Sequence, residues 1–245
     1  MRHWWRSYWL LLRWSVLQQR AQLPFLLVVQ TLLGVGVVIG FAFLVPRMDR
    51  ATALYLATGA PTIALIMVGM VAVPQTVAHQ KLTGTFDYLR SMPVPRLALL
   101  AADATVWAAL ALPGLVASLG VAAWRFDLSL AVSPLVVPAA LLTAATSVAV
   151  GYGVGYAAKP AVANIVSQLL IIGALMFAPV NFPAERLPRW LAVAHEWLPF
   201  GYMAQAMRLT LDTPPGGVPL LPFAVLSLWA VVGLAVTYRV MTRRG

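Results

Sequence analysis

Six long apolar runs alternate with short polar segments along this chain. Each run is about 20 residues or more in length, which suits a helix that crosses the hydrocarbon core of a bilayer. The runs cover residues 23–45, 54–78, 97–123, 130–157, 161–180 and 220–241. The pattern therefore predicts an all-α polytopic membrane protein, a single domain over residues 1–245 with six transmembrane helices.

Residues 1–20 predict a helix that lies in the plane of the membrane surface. At about 100° per residue, the arginines fall on one stripe and the aromatic and apolar side chains on the other side. The stripe consists of Arg2, Arg6, Arg13 and Arg20. A basic stripe beside tryptophans is typical of an interfacial helix. The alternative is an ordinary positively charged lead-in to the first span.

Two of the connecting segments are more than simple turns. The segment 80–93, between the second and third runs, predicts a short amphipathic helix that stops at Pro93. Such an element at the membrane surface indicates a docking site for a soluble partner.

The last loop, 182–211, holds two amphipathic aromatic stretches, roughly 187–197 and 200–211, separated by Pro199. They predict a re-entrant helical hairpin, which Pro214-Pro215-Gly216-Gly217 ends before the sixth span.

Composition and charge fix the class of protein and its orientation. The chain has 61% hydrophobic and 10% charged residues and a mean hydropathy of +0.85, whereas soluble domains carry about 25% charged residues. The termini and the second and fourth loops hold eleven basic residues and two acids; the opposite face holds six and five. Basic flanks stay in the cytoplasm, so both termini are expected there. The net charge of +10 then reflects orientation and anionic lipid rather than nucleic-acid binding.

Residue usage adds two smaller expectations. The chain has no cysteine, which excludes disulfides and thiolate metal sites. Fifteen arginines against two lysines, with much alanine and valine, indicate a GC-rich bacterial genome, so the expected location is a bacterial cytoplasmic membrane. We expect no cleavable signal peptide, because the first run is long enough to span and no small-residue cleavage site follows it.

Catalytic and metal-binding patterns are nearly absent from the sequence. The three histidines lie in separate segments, and His195-Glu196 has Pro199 where a zinc-protease helix needs its second histidine. We therefore expect no enzyme, metal site or cofactor in this chain. Asp103 is the single acid predicted within a span, which makes it a functional candidate. The alternative is that it reaches back to Arg96 or Arg90.

Polar and small residues inside the spans suggest how the helices pack. Thr58 and Thr62 in the second run and Asn164 and Gln168 in the fifth are candidates for lining a transport path. Ordinary hydrogen bonding between helices, worth about 1 kcal/mol, accounts for them equally well. Two glycine pairs at helix-packing spacing predict close helix approach: Gly36 with Gly40, and Gly151 with Gly155.

The docking segment and the outer loop resemble those of the ABC type-2 membrane permease family, the membrane subunits of ATP-driven exporters. In the first segment the matching residues are Lys81, Gly84, Thr85, Asp87, Leu89, Pro93 and Arg96, while Gln80 and Leu82 stand where the family usually has acids. In the outer loop they are Leu187, Pro188, Trp190, Leu191, Pro199, Tyr202 and Arg208, while Leu198 replaces a frequent asparagine. The resemblance covers essentially the whole chain.

The resemblance implies a separate ATPase in two copies, which holds ATP and magnesium, and a second permease that is either identical or a sister chain. Segment 80–93 would couple to the ATPase, with an apolar face offered to a groove on that subunit and two charged residues to the side. The face would consist of Leu82, Thr85, Phe86 and Leu89, and the charged residues are Asp87 and Arg90. The second and fifth spans of the two permeases would form the pathway. The outer gate would be the hairpin with Pro188, Trp190, Pro199, Tyr202 and Arg208.

Three other functions compete with an exporter of hydrophobic or amphipathic substrates such as drugs, lipids or lipid-linked glycans. A proton-coupled secondary transporter needs titratable groups at the midplane and paired repeats, for which Asp103 is the single candidate. A lipid-modifying enzyme needs clustered acids, histidines or a nucleophile, which the sequence lacks. A membrane scaffold leaves Gly84-Thr85 and the outer loop unexplained.

Overall fold

The computed structural model describes residues 2–21, 23–44, 49–128, 130–212 and 218–242, together with all their side chains except those of Arg2, Leu44 and Arg90. Every regular element in these ranges is helical, as the sequence predicts. The α-helices are α1 (Arg2–Gln19), α2 (Leu23–Leu44), α3 (Arg50–Met67), α4 (Val73–Leu82), α5 (Thr85–Ser91), α6 (Arg96–Phe126), α7 (Val136–Ala157), α8 (Pro160–Met176), α9 (Arg189–Trp197), α10 (Pro199–Asp212) and α11 (Leu221–Thr242). Val45, Pro214–Gly217, Arg243 and Arg244, which entered the predictions, lie outside the described residues.

Five helical stretches are long and apolar enough to cross a membrane. They are Leu23–Phe43, Arg50–Leu82, Arg96–Phe126, Val136–Ala157 and Leu221–Thr242. The predicted fifth span, 161–180, corresponds to α8, a shorter apolar helix of 17 residues. At 1.5 Å per residue, α8 is about 25 Å long, shorter than predicted because the chain leaves the helix after Met176.

The second span extends further than the sequence predicts. It was expected to end at residue 78, but α3, a π-helical segment (Val68–Ala72) and α4 form one continuous rod to Leu82. Pro74 comes two residues after Ala72, where the π segment ends. A proline has no N–H and crowds the carbonyl four residues before it. The wider π turn, in which Val73 N–H bonds to Val68 O, accommodates this proline without breaking the rod.

The fourth predicted span is too long at its start. Residues 130–135 are not helical, and α7 begins at Val136. The main-chain N–H of Ser133 donates to the main-chain oxygen of Thr210 in α10 at 2.8 Å. Residues 130–135 therefore connect α10 to the start of α7. Because residues 130–135 are mostly apolar, the hydropathy pattern placed them inside the fourth span.

The rod formed by α3, the π segment and α4 is the most buried span, and α7 packs closely against it. A side chain at Gly151 would collide with the main-chain oxygen of Gly69, and one at Gly155 would press on Val77. The predicted close approach is therefore present at this pair. At Gly36 and Gly40 a side chain would meet nothing within 4 Å, so this predicted pair makes no close helix contact in the described chain.

Helix α1 occupies the segment for which a surface helix was predicted. It packs along α6, where Tyr8 Oη lies 2.9 Å from Thr105 Oγ1 and Leu11 and Ser15 are buried. Trp5 and Trp9 are exposed on the other side, as are Arg6 and Arg13. One side of α1 therefore packs on α6, and the other side is exposed. The location of α1 in the headgroup layer of the membrane stays a prediction.

Candidate functional site

A glycine hinge creates the short helix of the predicted docking segment, residues 80–93. Gly84 has φ 76°, in the left-handed region, and a side chain there would meet nothing within 4 Å. Glycine adopts this conformation without the penalty that a side chain brings. The chain therefore turns sharply after Leu82 and begins α5 at Thr85, and α5 ends before Pro93.

The inner side of α5 is anchored on the transmembrane core. Leu89 is 4% exposed and lines a small polar cavity with Ser15, Asp103 and other residues of α1 and α6. Phe86 is half-buried, with its ring centroid 5.5 Å from that of Tyr156 in α7. The predicted apolar docking face is wrong for Leu89, which packs inward and holds α5 in place. Phe86 is shared between its contact with Tyr156 and the exposed surface.

Lys81 ties the end of the second span to the end of α7. Its Nζ donates hydrogen bonds to the main-chain oxygens of Tyr156, at 2.9 Å, and Ala158, at 2.8 Å, and lies 5.7 Å from the centre of the Phe86 ring. A cation at a helix C-terminus satisfies free carbonyls and opposes the helix dipole. Lys81 thus fixes the joint from which α5 projects.

The outer side of α5 presents a mixed surface. Leu82 is 73% exposed and Tyr88 is 61% exposed, and Asp87 lies between them on the exposed surface. Thr85 Oγ1 is 3.0 Å from Thr83 Oγ1 across the hinge. Arg90 lies in α5, but its side chain is outside the described part. The sequence pattern assigns Tyr88 to neither the apolar face nor the charged side of this helix.

Asp103 joins α6 to α7 beneath α5. Its carboxylate accepts a hydrogen bond from Tyr152 Oη at 2.5 Å, and Ser15 and Trp107 lie beside it. The sequence left open a functional role for Asp103 or a contact with Arg96 or Arg90, and it did not reveal Tyr152 as the partner. The acid therefore takes part in the packing of α1, α6 and α7 at the level of the docking segment.

The four candidate pathway residues are not brought together. Thr58 and Thr62 are fully buried in α3, and each hydroxyl donates to a carbonyl one turn earlier, at 2.9 Å. Asn164 and Gln168 are exposed on α8, beside a row of exposed apolar residues on the same helix. That row consists of Val162, Ile165, Leu169, Ile172 and Met176.

The outer loop forms two helices that turn at Pro199. Pro188 is the N-cap of α9, and buried Pro199 begins α10. Tyr202 Oη donates to the main-chain oxygen of Glu196 at 3.0 Å, which bridges the two helices. Exposed Trp190 stands at an apolar groove of about 300 Å³ between α9 and α8. The helices match the prediction, and their re-entry into the membrane stays a prediction.

Arg208 fastens the hairpin to the second span. Its Nε donates to Thr58 Oγ1 at 3.1 Å and its Nη2 to the oxygen of Val180 at 2.9 Å, while its Cζ lies 3.8 Å from the centre of the Tyr55 ring. Burial lowers the pKa of Arg208 to about 10, so it remains a cation at neutral pH. Three segments distant in sequence therefore meet at this guanidinium.

Within the described ranges there is no group of three or more histidine, aspartate or glutamate side chains that could hold a metal ion. His195 is buried, and its Nδ1 lies 2.8 Å from the oxygen of Leu191 one turn earlier. Its role in α9 is accounted for by packing and this single contact.

A bundle of apolar helices long enough to cross a bilayer defines an integral membrane protein. A family model of the ABC-2 type transporters matches residues 6–211. The chain belongs to this family, whose members are transport subunits that normally work with an ATPase partner. No curated protein sequence matches the chain.

Proposed function

We propose that this chain is the permease subunit of an ABC exporter in the bacterial cytoplasmic membrane, with both termini in the cytoplasm. A separate ATPase binds ATP and magnesium and docks on α5. The chain pairs with a second permease, and α8 serves as a sixth, short span beside the pathway. The cargo is hydrophobic or amphipathic.

The observation that carries this proposal is the way α5 is mounted. It projects from the most buried rod of the bundle across a glycine hinge, and Lys81, Phe86 and Leu89 fix it to α6 and α7. A push on the exposed Leu82–Asp87–Tyr88 surface would therefore be transmitted to several spans together. Asp103 offers a proton-coupled transporter less support, since it is bonded within the bundle.

The test is co-purification of an ATPase with the tagged chain in mild detergent, followed by ATP hydrolysis. We expect an ABC ATPase to be retained by the wild type and lost on Asp87→Arg, because the reversed charge faces the partner. Gly84→Pro should also uncouple hydrolysis from transport, since proline cannot adopt φ 76°. Gly84→Asn is the matched control, because asparagine tolerates this conformation and the space is open.

The chain must still insert for these results to count, so each variant is compared with the wild type in membrane yield and elution profile. Retention of the ATPase and of full ATP-driven transport by Asp87→Arg and Gly84→Pro would contradict docking at α5. A wild-type chain that carries no ATPase would contradict the exporter itself.

A further inference from the structure

Arg208 is partly buried, and its guanidinium has no carboxylate partner among the described residues. All seven acids of the chain lie in the described residues, and Arg208 forms no ion pair there; its acceptors are Thr58 Oγ1 and Val180 O. Buried charges are normally paired because their desolvation is costly. Lys81, another partly buried cation, has two carbonyls at the end of α7 instead.

Part of the guanidinium remains available to a ligand. Arginine has five N–H donors in a planar fork, and two of them are used by Thr58 and Val180. Tyr55 covers one face of the plane. The remaining three donors can bind the oxygens of a carboxylate or phosphate in the bidentate manner that arginine favours.

A polar side chain adjacent in sequence to one of the Arg208 acceptors has no hydrogen-bond partner within the described ranges. Asn181 directly follows Val180 and is 5% exposed, and neither its Nδ2 nor its Oδ1 has a hydrogen-bond partner in the described chain. The amide lies against Gly59, next to Thr58. Buried side-chain polar groups are nearly always bonded, so an unpaired amide, one residue after the carbonyl that accepts from a cation without a carboxylate, indicates a missing ligand.

We propose that Arg208 and Asn181 form a binding site for the oxyanion head group, phosphate or carboxylate, of an amphiphile. The ligand's oxygens accept from the free Arg208 donors and from Asn181 Nδ2, and its apolar part lies along the bundle. The assignment of this site to the outer side, where exported cargo would leave, rests on the proposed function. The binding itself does not.

The test measures binding of dodecyl phosphate to the purified full chain in neutral detergent, with dodecyltrimethylammonium and inorganic phosphate as comparison probes. We expect dodecyl phosphate to raise the Tm and the ammonium amphiphile to leave it unchanged. Asn181→Asp places a carboxylate beside Arg208 and should weaken dodecyl phosphate binding about 10- to 100-fold without loss of stability. Arg125→Gln, an exposed outer arginine, is the control and should bind like the wild type.

Arg208→Lys keeps the charge but loses the fork and the contact with Tyr55, so binding should fall while the chain still folds. Native mass spectrometry of the wild type distinguishes two sources of the ligand. A co-purifying anionic phospholipid identifies a resident lipid, whereas an empty site that dodecyl phosphate fills identifies a cargo site. If inorganic phosphate binds as tightly as dodecyl phosphate, the ligand is not an amphiphile. If Asn181→Asp binds dodecyl phosphate like the wild type, Arg208 and Asn181 do not form the site. The assay does not need the ATPase. A failure of the binding-site proposal can therefore be distinguished from a failure of the exporter proposal.

Discussion

Lys81 Nζ donates a hydrogen bond to the main-chain oxygen of Tyr156 across 2.9 Å, and these two residues are 75 positions apart in the chain. The bond joins the end of the second span to the last turn of α7 at the point where α5 begins. The connection between the ends of α4 and α7 therefore depends on the flexible, charged side chain of Lys81. Such a side chain can keep its hydrogen bonds while the two helix ends shift slightly.

Lys81→Met should destabilise the folded protein. The methionine fills similar space but leaves the oxygens of Tyr156 and Ala158 without their donor, at a cost of about 1–3 kcal/mol. Thermal unfolding in detergent measures the change as a lower Tm. Lys159→Met is the matched control, because Lys159 is the other lysine of the chain and is exposed. Equal Tm values for the two variants would contradict the joint.

Gly151→Ala should disrupt the packing of α7 on the second span. The added methyl group would collide with the oxygen of Gly69, which is main chain and cannot rotate away. Overpacking of a tight contact costs typically 1–3 kcal/mol and at times more, so we expect low yield and a lowered Tm. Gly153→Ala, on the same helix with open space around it, should behave like the wild type or better. A stable Gly151→Ala variant would show that the helices separate easily.

The sequence predicted the positions of these elements better than their contacts. The break in hydropathy after residue 78, together with Gly84 and Pro93, located α5 within a few residues. Periodicity did not reveal that Leu89 faces inward, because a short amphipathic helix has an apolar side whether it binds the bundle or a partner. Arg208 bonds to Thr58 from 150 residues away, and no local pattern carries that information.

A second permease should contact the exposed face of α8. Because the chain has no cysteine, single-cysteine variants give an unambiguous cross-linking readout. Gln168→Cys, at a polar position on that face, should form a disulfide-linked dimer on mild oxidation in membranes. Leu228→Cys, at an exposed position on α11, is the control and should remain monomeric. The reverse result, a dimer through α11 alone, would move the interface to the other side of the bundle.

Asp103→Asn distinguishes ATP-driven export from proton coupling. Asparagine keeps an oxygen that can accept the hydrogen bond from Tyr152, but it cannot bind or release a proton. For an ATP-driven permease we expect efflux of amphipathic dyes from proteoliposomes containing the chain and its ATPase to continue, and to resist collapse of the pH gradient, in the variant as in the wild type.

Tyr152→Phe provides the complementary change, because it removes the hydroxyl and leaves the acid in place. It should lower stability by about 1–3 kcal/mol, read as a lower Tm, since the carboxylate of Asp103 then lacks its bonded partner in α7. Efflux that depends on the pH gradient and is abolished by Asp103→Asn, but only slowed by Tyr152→Phe, would identify Asp103 as a proton carrier. Loss of stability in Tyr152→Phe with ATP-driven efflux intact in Asp103→Asn would instead assign this pair to the packing of α6 on α7, directly beneath the docking helix.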